Sequence, residues 1–373
     1  MKRSNYLLWA LLVLFLGACG MKHVSMNSMV PASITLPPHI KTIVLVDRTE
    51  HEKTGLGTLE GVLTGEGIGE DQNGVQEAIS SLQNGLMSSP RYQVIRASEV
   101  LKGNSMLGAT FPEPITWNQI NILCSKYKAD AVIALELFDT NFIVTDGKRS
   151  VKKEVEENGV KKTIDAIEYY AEGVATAKIG FRLYDPKNKN IADQQTFSRT
   201  NTWEAKANSV KDALAALIQK SEATRYLSGL AGNSYAHKIA PMPVRISREF
   251  YGKPRKNQYM QAGVRQSEVG QWEEAIVSWR RGMLTADAKT AGRLAYNVAV
   301  GFEVLGDYAQ AKAWAGKSYI NYGNKKARSY NAMLEQRMLQ EDIVNEQMRI
   351  EEDPLPDTST GGGQPMLKPK KKN

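Results

Sequence analysis

The stretch ADAVIALEL, residues 129–137, decides the fold of the first part of this chain. It is aliphatic, short and preceded by a polar segment, which is the pattern of a buried strand. A second run, rich in β-branched residues, lies at residues 40–46. Three further segments, at residues 92–95, 176–184 and 191–199, have weaker strand patterns. These runs predict one sheet rather than isolated strands.

Helical patterns alternate with these strands. Apolar residues recur at helical spacing in residues 75–87 and 117–127, and a third helix is expected at residues 210–221. A last strand is expected near residues 244–246. The order β-α-β-α-β-β-β-α predicts a mixed-sheet α/β domain over residues 39–250.

The strand ends and their order resemble the nucleotide-free α/β module of two envelope families. One is the curli-secretion lipoprotein, and the other is the amino-terminal domain of the Tol-system translocation protein; the matching stretches cover about half the chain, at residues 43–47, 91–97, 128–137 and 181–184. The curli family implies a pore built from amphipathic hairpins. Here residues 147–173 carry lysines and glutamates around Asn158-Gly159 and lack the apolar face of a membrane strand. The resemblance therefore implies the fold, with a solvated hairpin in place of a pore.

Residues 251–350 change to a helical repeat. Gly270 and Gly306 are 36 residues apart, close to the ~34-residue tetratricopeptide period. Small and aromatic residues fall at tetratricopeptide-like positions, including Tyr259, Trp272, Trp279 and Phe302, which we expect to be core, while Gln266 and Gly282 depart from the pattern. Two units and a capping helix at residues 329–350 are predicted, with a plain helical hairpin bundle as the alternative. Because two units are marginal alone, they should dock on the α/β domain or on a partner.

The amino terminus reads as a lipoprotein signal. Lys2 and Arg3 precede an unbroken apolar run over residues 6–16, which is short for a membrane span. Leu16-Gly17-Ala18-Cys19 resembles a bacterial lipobox, so residues 1–18 are predicted as signal peptide and Cys19 as the site of acylation, with palmitate among the chains. The alternative is a secretory signal with an incidental cysteine. Two or three acyl chains would make membrane attachment effectively permanent.

Two segments are predicted to be unstructured. Residues 19–38 are rich in Ser, Met and Pro and read as a tether, and residues 351–373 read as a disordered basic tail. The whole arrangement is similar to an uncharacterised family of Bacteroidota-type envelope lipoproteins that carries no settled activity. In that family, surface export is linked to acidic residues just after the cysteine. Gly20-Met21-Lys22-His23 contains none, so the resemblance implies an outer membrane lipoprotein facing the periplasm.

Composition limits the classes of function. The chain has 373 residues, of which 42% are hydrophobic and 24% charged, as in a globular protein, and its net charge is +8. Two cysteines exclude a disulfide scaffold, and Cys124 is expected to be a buried structural thiol. Nucleic acid is an improbable partner for an exported chain.

Motifs for chemistry are few. The histidines at 23, 39, 51 and 237 have no metal-ligand spacing. The glycine-rich segment 55–74 lacks the P-loop lysine and carries acids, so a flexible loop is expected, with a weak hypothesis that Glu66, Glu70 and Asp71 bind a hard cation. Ser150 and Lys153 match S-x-x-K by chance. We therefore expect no catalytic residue, cofactor or metal.

The sequence favours a lipid-anchored, non-enzymatic adaptor that takes up a partner protein on its helical repeat. The alternative is a homo-oligomeric envelope assembly or secretion accessory component, in which the α/β domains form a ring. A hydrolase is a third and weaker possibility.

Overall fold

The computed structural model describes residues 20–50, 70–103, 110–157 and 159–350 of the chain. Strands and helices alternate up to residue 251, and helices follow to residue 347. The strands are β1 (Met21–Val30), β2 (Thr42–Glu50), β3 (Gln93–Lys102), β4 (Ala131–Glu157), β5 (Val160–Asp185), β6 (Asn190–Ala207) and β7 (Met242–Tyr251). The helices are α1 (Glu70–Ser88), α2 (Trp117–Tyr127), α3 (Val210–Ala216), α4 (Lys220–Ile239), α5 (Gln258–Glu268), α6 (Trp272–Met283), α7 (Ala288–Val304), α8 (Tyr308–Ile320) and α9 (Lys325–Gln347).

The main sheet has the strand order β3-β2-β4-β5-β6. β2 is parallel to both β3 and β4, whereas β4–β5 and β5–β6 are antiparallel. Helices α1 and α4 cover one face, with Leu82 and Leu227 buried against the sheet, and α2 covers part of the other through Ile120 and Leu123. The fold class predicted from the sequence, a mixed α/β region followed by an all-α region, is confirmed.

Helices α1 and α4 approach very closely at one point. A Cβ atom at Gly232 would lie 2.1 Å from the carbonyl oxygen of Ala78, so no larger residue fits there. The buried face of α4 is built from small residues such as Ala223, Ser228 and Ala231. The sequence analysis predicted a single helix at residues 210–221. The structure instead has the short α3 and the long α4. The prediction missed α4 because its small residues give a weak apolar pattern.

The β4–β5 hairpin extends well beyond its neighbours. β2 pairs with β4 only as far as Leu135, and β6 pairs with β5 only from Tyr169 onward. Over residues 149–157 and 160–168 the hairpin is therefore a two-stranded ribbon, and it turns at Gly159, which has a φ of +76°. Arg149 joins Glu168 and Glu204 at 2.6 and 2.7 Å on one face. The solvated hairpin predicted around Asn158-Gly159 is confirmed.

The tether predicted at residues 19–38 is wrong for its central part. Residues Met21–Val30 form β1, which pairs antiparallel with β7 along its whole length, from Met21–Tyr251 to Val30–Met242. The backbone hydrogen bonds of this separate two-stranded sheet order a stretch whose side chains show no strand pattern. Its partner is the last strand of the α/β region, which is too distant along the chain for local sequence reading to detect.

The helical region contains two equivalent helix–turn–helix units. The turns between α5 and α6 and between α7 and α8 each place a glycine, Gly270 and Gly306, at φ +81°. In both turns the following residue donates its amide to a carbonyl five residues back, Gln271 to Gln266 and Asp307 to Phe302, each at 2.9 Å. The 36-residue spacing read from the sequence therefore reflects a structural repeat, followed by α9 over the expected capping segment.

The two regions touch through the end of α9. The Gln347 side chain accepts from the Ala32 amide at 2.8 Å and donates to the Ala32 carbonyl oxygen at 3.0 Å. The buried Arg91 donates to the Gln347 backbone carbonyl at 2.7 Å. The helical region is thus tied to the α/β region through these hydrogen bonds. Among the described residues, no helix combines the length and apolar character needed to cross a bilayer.

Candidate functional site

A buried polar cluster lies beside the carboxyl end of β2. Glu136 on β4 accepts from Arg48 at 3.0 Å, from Arg182 at 2.7 Å and from the Tyr184 hydroxyl at 2.6 Å. Both arginines also donate to backbone carbonyls of the segment before α2, to Glu113 and Pro112 respectively. Burial and the adjacent Glu136 carboxylate raise the pKa of Tyr184 to about 12.

This cluster has the geometry of a structural element that stabilises the fold. Its carboxylate is surrounded by donors, and its tyrosine is neutral at physiological pH, so neither group is arranged to attack or deprotonate a substrate. The two guanidinium groups instead hold residues 112–113 against the sheet. That position fixes the start of α2, where the Ile115 amide donates to the Tyr184 hydroxyl at 3.0 Å.

The residues singled out for chemistry are dispersed. Ser150 and Lys153 lie three positions apart on β4, so their side chains point to opposite faces of the strand and form no dyad. His39 contacts Asp185 at 3.0 Å, and His237 contacts the Asn233 carbonyl at 2.8 Å. Burial opposes the ionisation of Asp185, but hydrogen bonds from His39 and Asn188 outweigh it and lower the Asp185 pKa.

Other predicted positions fall in different settings. Cys124 is buried, and burial followed by the nearby Asp130 and Asp185 charges raises its pKa to about 11, as expected for a structural thiol. Cys19, His51 and Glu66 lie outside the described residues, and so does the tail 351–373. Glu70 and Asp71 begin α1, and their side chains are not described. Within the described ranges, no three His, Cys, Asp or Glu side chains are placed to share a metal ion.

One face of the helical repeat is already covered. The β1–β7 ribbon packs against α7 and α9, where Asn297 exchanges hydrogen bonds of 2.7 Å with the backbone of Tyr251. Arg248 Nε donates to both carboxylate oxygens of the buried Glu303, at 2.9 and 3.0 Å, and Tyr330 donates to the same carboxylate at 2.6 Å. The sequence analysis placed a partner on the repeat. On this face of the repeat, the surface is instead covered by the β1–β7 ribbon of the same chain.

The aromatic residues expected to be core are inside the repeat. Trp279 is fully buried, and Trp272 is partly buried with its ring centre 6.3 Å from that of Trp279. Phe250 of the ribbon lies 5.9 Å from both rings. Tyr259 and Phe302 are also partly buried. These side chains hold the ribbon and the helices together and leave little surface for a ligand.

An open groove lies on another face of the repeat, between α6 and α8. It has a volume of about 430 Å³, within the ~300–1,000 Å³ range of ligand pockets. We call it the α6–α8 groove; its lining residues are Val277, Arg280, Arg281, Met283, Leu284, Trp314, Lys317 and Tyr322. Three of these are basic, and of the described residues that line it none is acidic.

Trp314 forms the centre of this groove. The Arg280 guanidinium carbon lies 5.6 Å from the centre of its ring, and the Lys317 ammonium lies 4.6 Å from it. Leu284 at the edge is 84% exposed and Val277 is 54% exposed. The groove therefore joins an aromatic surface, exposed aliphatic groups and concentrated positive charge, which together suit an acidic segment with apolar side chains.

Comparison with known families places the chain. A family described as "Domain of unknown function (DUF8603)" matches residues 40–251, which is more than half of the chain. The chain belongs to the DUF8603 family. A second family, "Domain of unknown function (DUF6340)", matches residues 261–340 in the helical repeat. The DUF8603 match ends at the last residue of β7, so it includes one strand of the ribbon.

Solved structures show only distant similarity. The PelC dodecamer from Paraburkholderia phytofirmans is 14% identical, with 58% of this chain and 98% of that chain covered and a TM-score of 0.24. A neuraminyllactose-binding hemagglutinin homolog from Helicobacter pylori is 14% identical over 54% of this chain and 81% of that chain, with a TM-score of 0.21. Similarity this low carries no argument about assembly or ligand. No curated protein matches the chain.

Proposed function

We propose that this DUF8603 chain is a lipid-anchored, non-enzymatic adaptor of the cell envelope that binds an acidic segment of a partner protein in the α6–α8 groove. The observation that carries this proposal is the groove itself, in which Arg280 and Lys317 lie over the ring of the half-buried Trp314 and Arg281 adds a third positive charge to the lining. The proposal retains the adaptor function expected from the sequence and moves its binding surface to the outer side of the repeat.

Charge and desolvation support an acidic partner. A carboxylate held between Arg280 and Lys317 would form charge-assisted hydrogen bonds beside an apolar surface, where they are stronger than in open water. The exposed Leu284 and Val277 would be covered by the apolar side chains of the same segment. Aromatic and arginine side chains are also the residues that most often dominate binding energy at interfaces.

The non-enzymatic part of the proposal is supported by where the ionisable groups lie. The most buried acids described above, Glu136, Asp185 and Glu303, each accept hydrogen bonds from neighbouring side chains. None of them lines the α6–α8 groove.

Partner binding is tested with a groove variant and a charge-matched control. The groove variant is R280Q/R281Q/K317Q, and the control is K152Q/K153Q/K161Q, which removes three exposed lysines from the β4–β5 hairpin. A fluorescent peptide of alternating glutamate and leucine is the probe. We expect the groove variant to bind it at least tenfold more weakly than the wild type and the control to bind it unchanged. Equal loss in both variants would show a general charge effect and overturn the groove.

The same pair of variants identifies natural partners. Live cells are crosslinked, the chain is captured and bound proteins are identified by mass spectrometry. Partners lost from the groove variant and retained by the hairpin control would belong to the groove. Truncation after Glu249 is unsuitable, because it removes part of β7 and exposes β1.

The anchor is tested separately at Cys19. We propose attachment to the outer membrane, facing the periplasm, with residues 1–18 removed. Cells grown with labelled palmitate should label the wild type and not Cys19→Ala, and the variant should leave the membrane fraction. Cleavage of the wild type by protease added to intact cells would reverse the assigned face.

A homo-oligomeric assembly component is a second candidate, and the projecting hairpin favours it. Beyond Leu135 no described strand pairs with the outer edge of β4, and β5 has an open edge before Tyr169. Such edges can pair with a second copy of the chain. Native mass spectrometry of the membrane-extracted chain decides between the candidates: a ring requires a defined multimer that dissociates when residues 148–168 are replaced by a short turn.

A further inference from the structure

Gly20, the first residue that the structure describes, lies beside a basic surface. Gly20 accepts a hydrogen bond from the Gly252 amide at 2.9 Å, and β1 starts at the next residue. The Lys253 side chain lies against Gly20, with its Cδ 3.2 Å from the position of a Cβ there, and the Lys22 side chain lies against Gly252. Arg255 and Lys256 are exposed in the turn that follows. We call Lys22, Lys253, Arg255 and Lys256 the basic collar.

Little in the described structure neutralises this collar. Lys22 pairs with Glu268 at 2.8 Å, and both side chains are about half exposed. Among the described residues, Lys253, Arg255 and Lys256 have no ion-pair partner. Asn257 closes the turn by capping α5, accepting from the Met260 amide at 2.9 Å, so the collar is held on an ordered segment.

Gly20, against which Lys253 lies, directly follows Cys19 in the sequence, and Cys19 follows an apolar run over residues 6–16. We propose that the basic collar binds the anionic phospholipid headgroups of the membrane in which the chain is anchored. This inference rests on the proposed anchor for its location. It adds a second membrane contact, which holds the start of β1 and the turn before α5 against the lipid surface.

The choice of a lipid surface follows from the geometry. Lys22, Arg255 and Lys256 are exposed and Lys253 is partly buried, and all four are long side chains on the two segments that meet at the Gly20–Gly252 hydrogen bond. Such a spread of flexible charges suits an extended anionic surface. Basic residues near an anionic surface each contribute about a fivefold increase in binding, and the attraction decreases within a Debye length.

The test uses the chain from Gly20 onward, which retains every described strand and helix, and vesicles of phosphatidylcholine either alone or mixed with phosphatidylglycerol. We expect cosedimentation with the anionic vesicles only. The variant K253Q/R255Q/K256Q should bind on the order of 100-fold more weakly, from about fivefold per charge. The hairpin control K152Q/K153Q/K161Q, which removes the same charge, should bind like the wild type.

Three outcomes would overturn the collar: no binding to anionic vesicles, equal loss in both variants, or loss of binding when inorganic phosphate at constant ionic strength competes. The last outcome would indicate a free-phosphate site. Circular dichroism confirms that each variant is folded. The full acylated chain separates the two proposals, because it should stay with neutral vesicles through its lipid whether or not the collar is intact, and Cys19→Ala should not.

Discussion

Glu136→Ala tests the reasoning about the buried cluster most directly. Glu136 has a fully buried side chain that accepts from two guanidinium groups and one hydroxyl at 2.6–3.0 Å. The substitution leaves Arg48 and Arg182, whose side chains are 8% and 7% exposed, facing each other without the carboxylate between them. The wild-type cluster has one negative and two positive groups, and the variant keeps only the positive ones.

The size of the effect follows from this loss of compensation. Removing one partner of a buried ion pair costs about 3–5 kcal/mol, because the remaining charge has lost water and gained nothing. Here two cations lose their partner together, so we expect the upper half of that range. With a urea dependence of about 2–3 kcal/mol per molar, a loss of about 4–5 kcal/mol should lower the unfolding midpoint of the α/β region by about 1.3–2.5 M.

Urea unfolding followed by tryptophan fluorescence is the assay, since the ring of Trp117 lies 6.1 Å from that of Tyr184. Trp117 is one of six tryptophans, so the transition is assigned in a background where Trp117 is replaced by Phe. Glu168→Ala is the matched control, because Glu168 also contacts two basic side chains but lies on the exposed hairpin. A change of less than about 1 kcal/mol for Glu136→Ala would refute the structural role of the cluster.

Three further predictions concern other buried groups. Arg337 is 6% exposed and donates through Nη1 to the Met29 carbonyl at 2.9 Å, but its Nε and Nη2 have no partner among the described residues. Arg337→Met should therefore change the free energy of unfolding by less than about 1 kcal/mol. Arg182→Met, which removes a partner of the buried Glu136, should lower it by about 3–5 kcal/mol. The Cys124 thiol, with its pKa raised to about 11, should react with a disulfide reagent at pH 8 at least about 100-fold more slowly in the folded chain than in urea, and equal rates would disprove its burial. Burial raises the pKa of three tyrosines to about 12, so above pH 10 the unfolded chain releases their protons while the folded chain keeps them, and the free energy of unfolding should fall as pH rises from 10 to 12. Absorbance of tyrosinate at pH 11 should accordingly be lower in the folded than in the unfolded chain; the three are Tyr92, Tyr184 and Tyr296.

Sequence reasoning predicted the parts of the fold that are written in local patterns. The aliphatic run at residues 129–137 contains the start of β4, and Gly270 and Gly306 lie at equivalent positions in two turns with the same φ. It missed β1 because Met21–Val30 gains its order from pairing with β7 rather than from its own side chains. It missed most of α4 because more than half of the buried residues of that helix are Ala, Ser or Gly, which give a weak apolar pattern.

The α6–α8 groove was missed for a different reason. The sequence analysis made no prediction for Arg281 or Lys317, although they are 36 residues apart, the same spacing as the two turn glycines. A repeated basic residue in the last turn of α6 and of α8 was the available signal. Repetition alone does not show that the Trp314 side chain of α8 lines a groove shared with α6, because that arrangement depends on how the two units stack.

The pairing of β1 with β7 also sets an order of events in the life of the chain. The strand nearest the amino terminus cannot be completed until residue 251 has been made and delivered to the same compartment. Until then residues 21–30 remain an open, accessible segment beside the position where acylation is proposed. An enzyme that modifies Cys19 would therefore meet an extended substrate early, and the same segment would later be closed against it by a strand that is synthesised only after the whole main sheet. The separation of β1 and β7 in the sequence therefore determines when residues 21–30 become paired, as well as where they are paired.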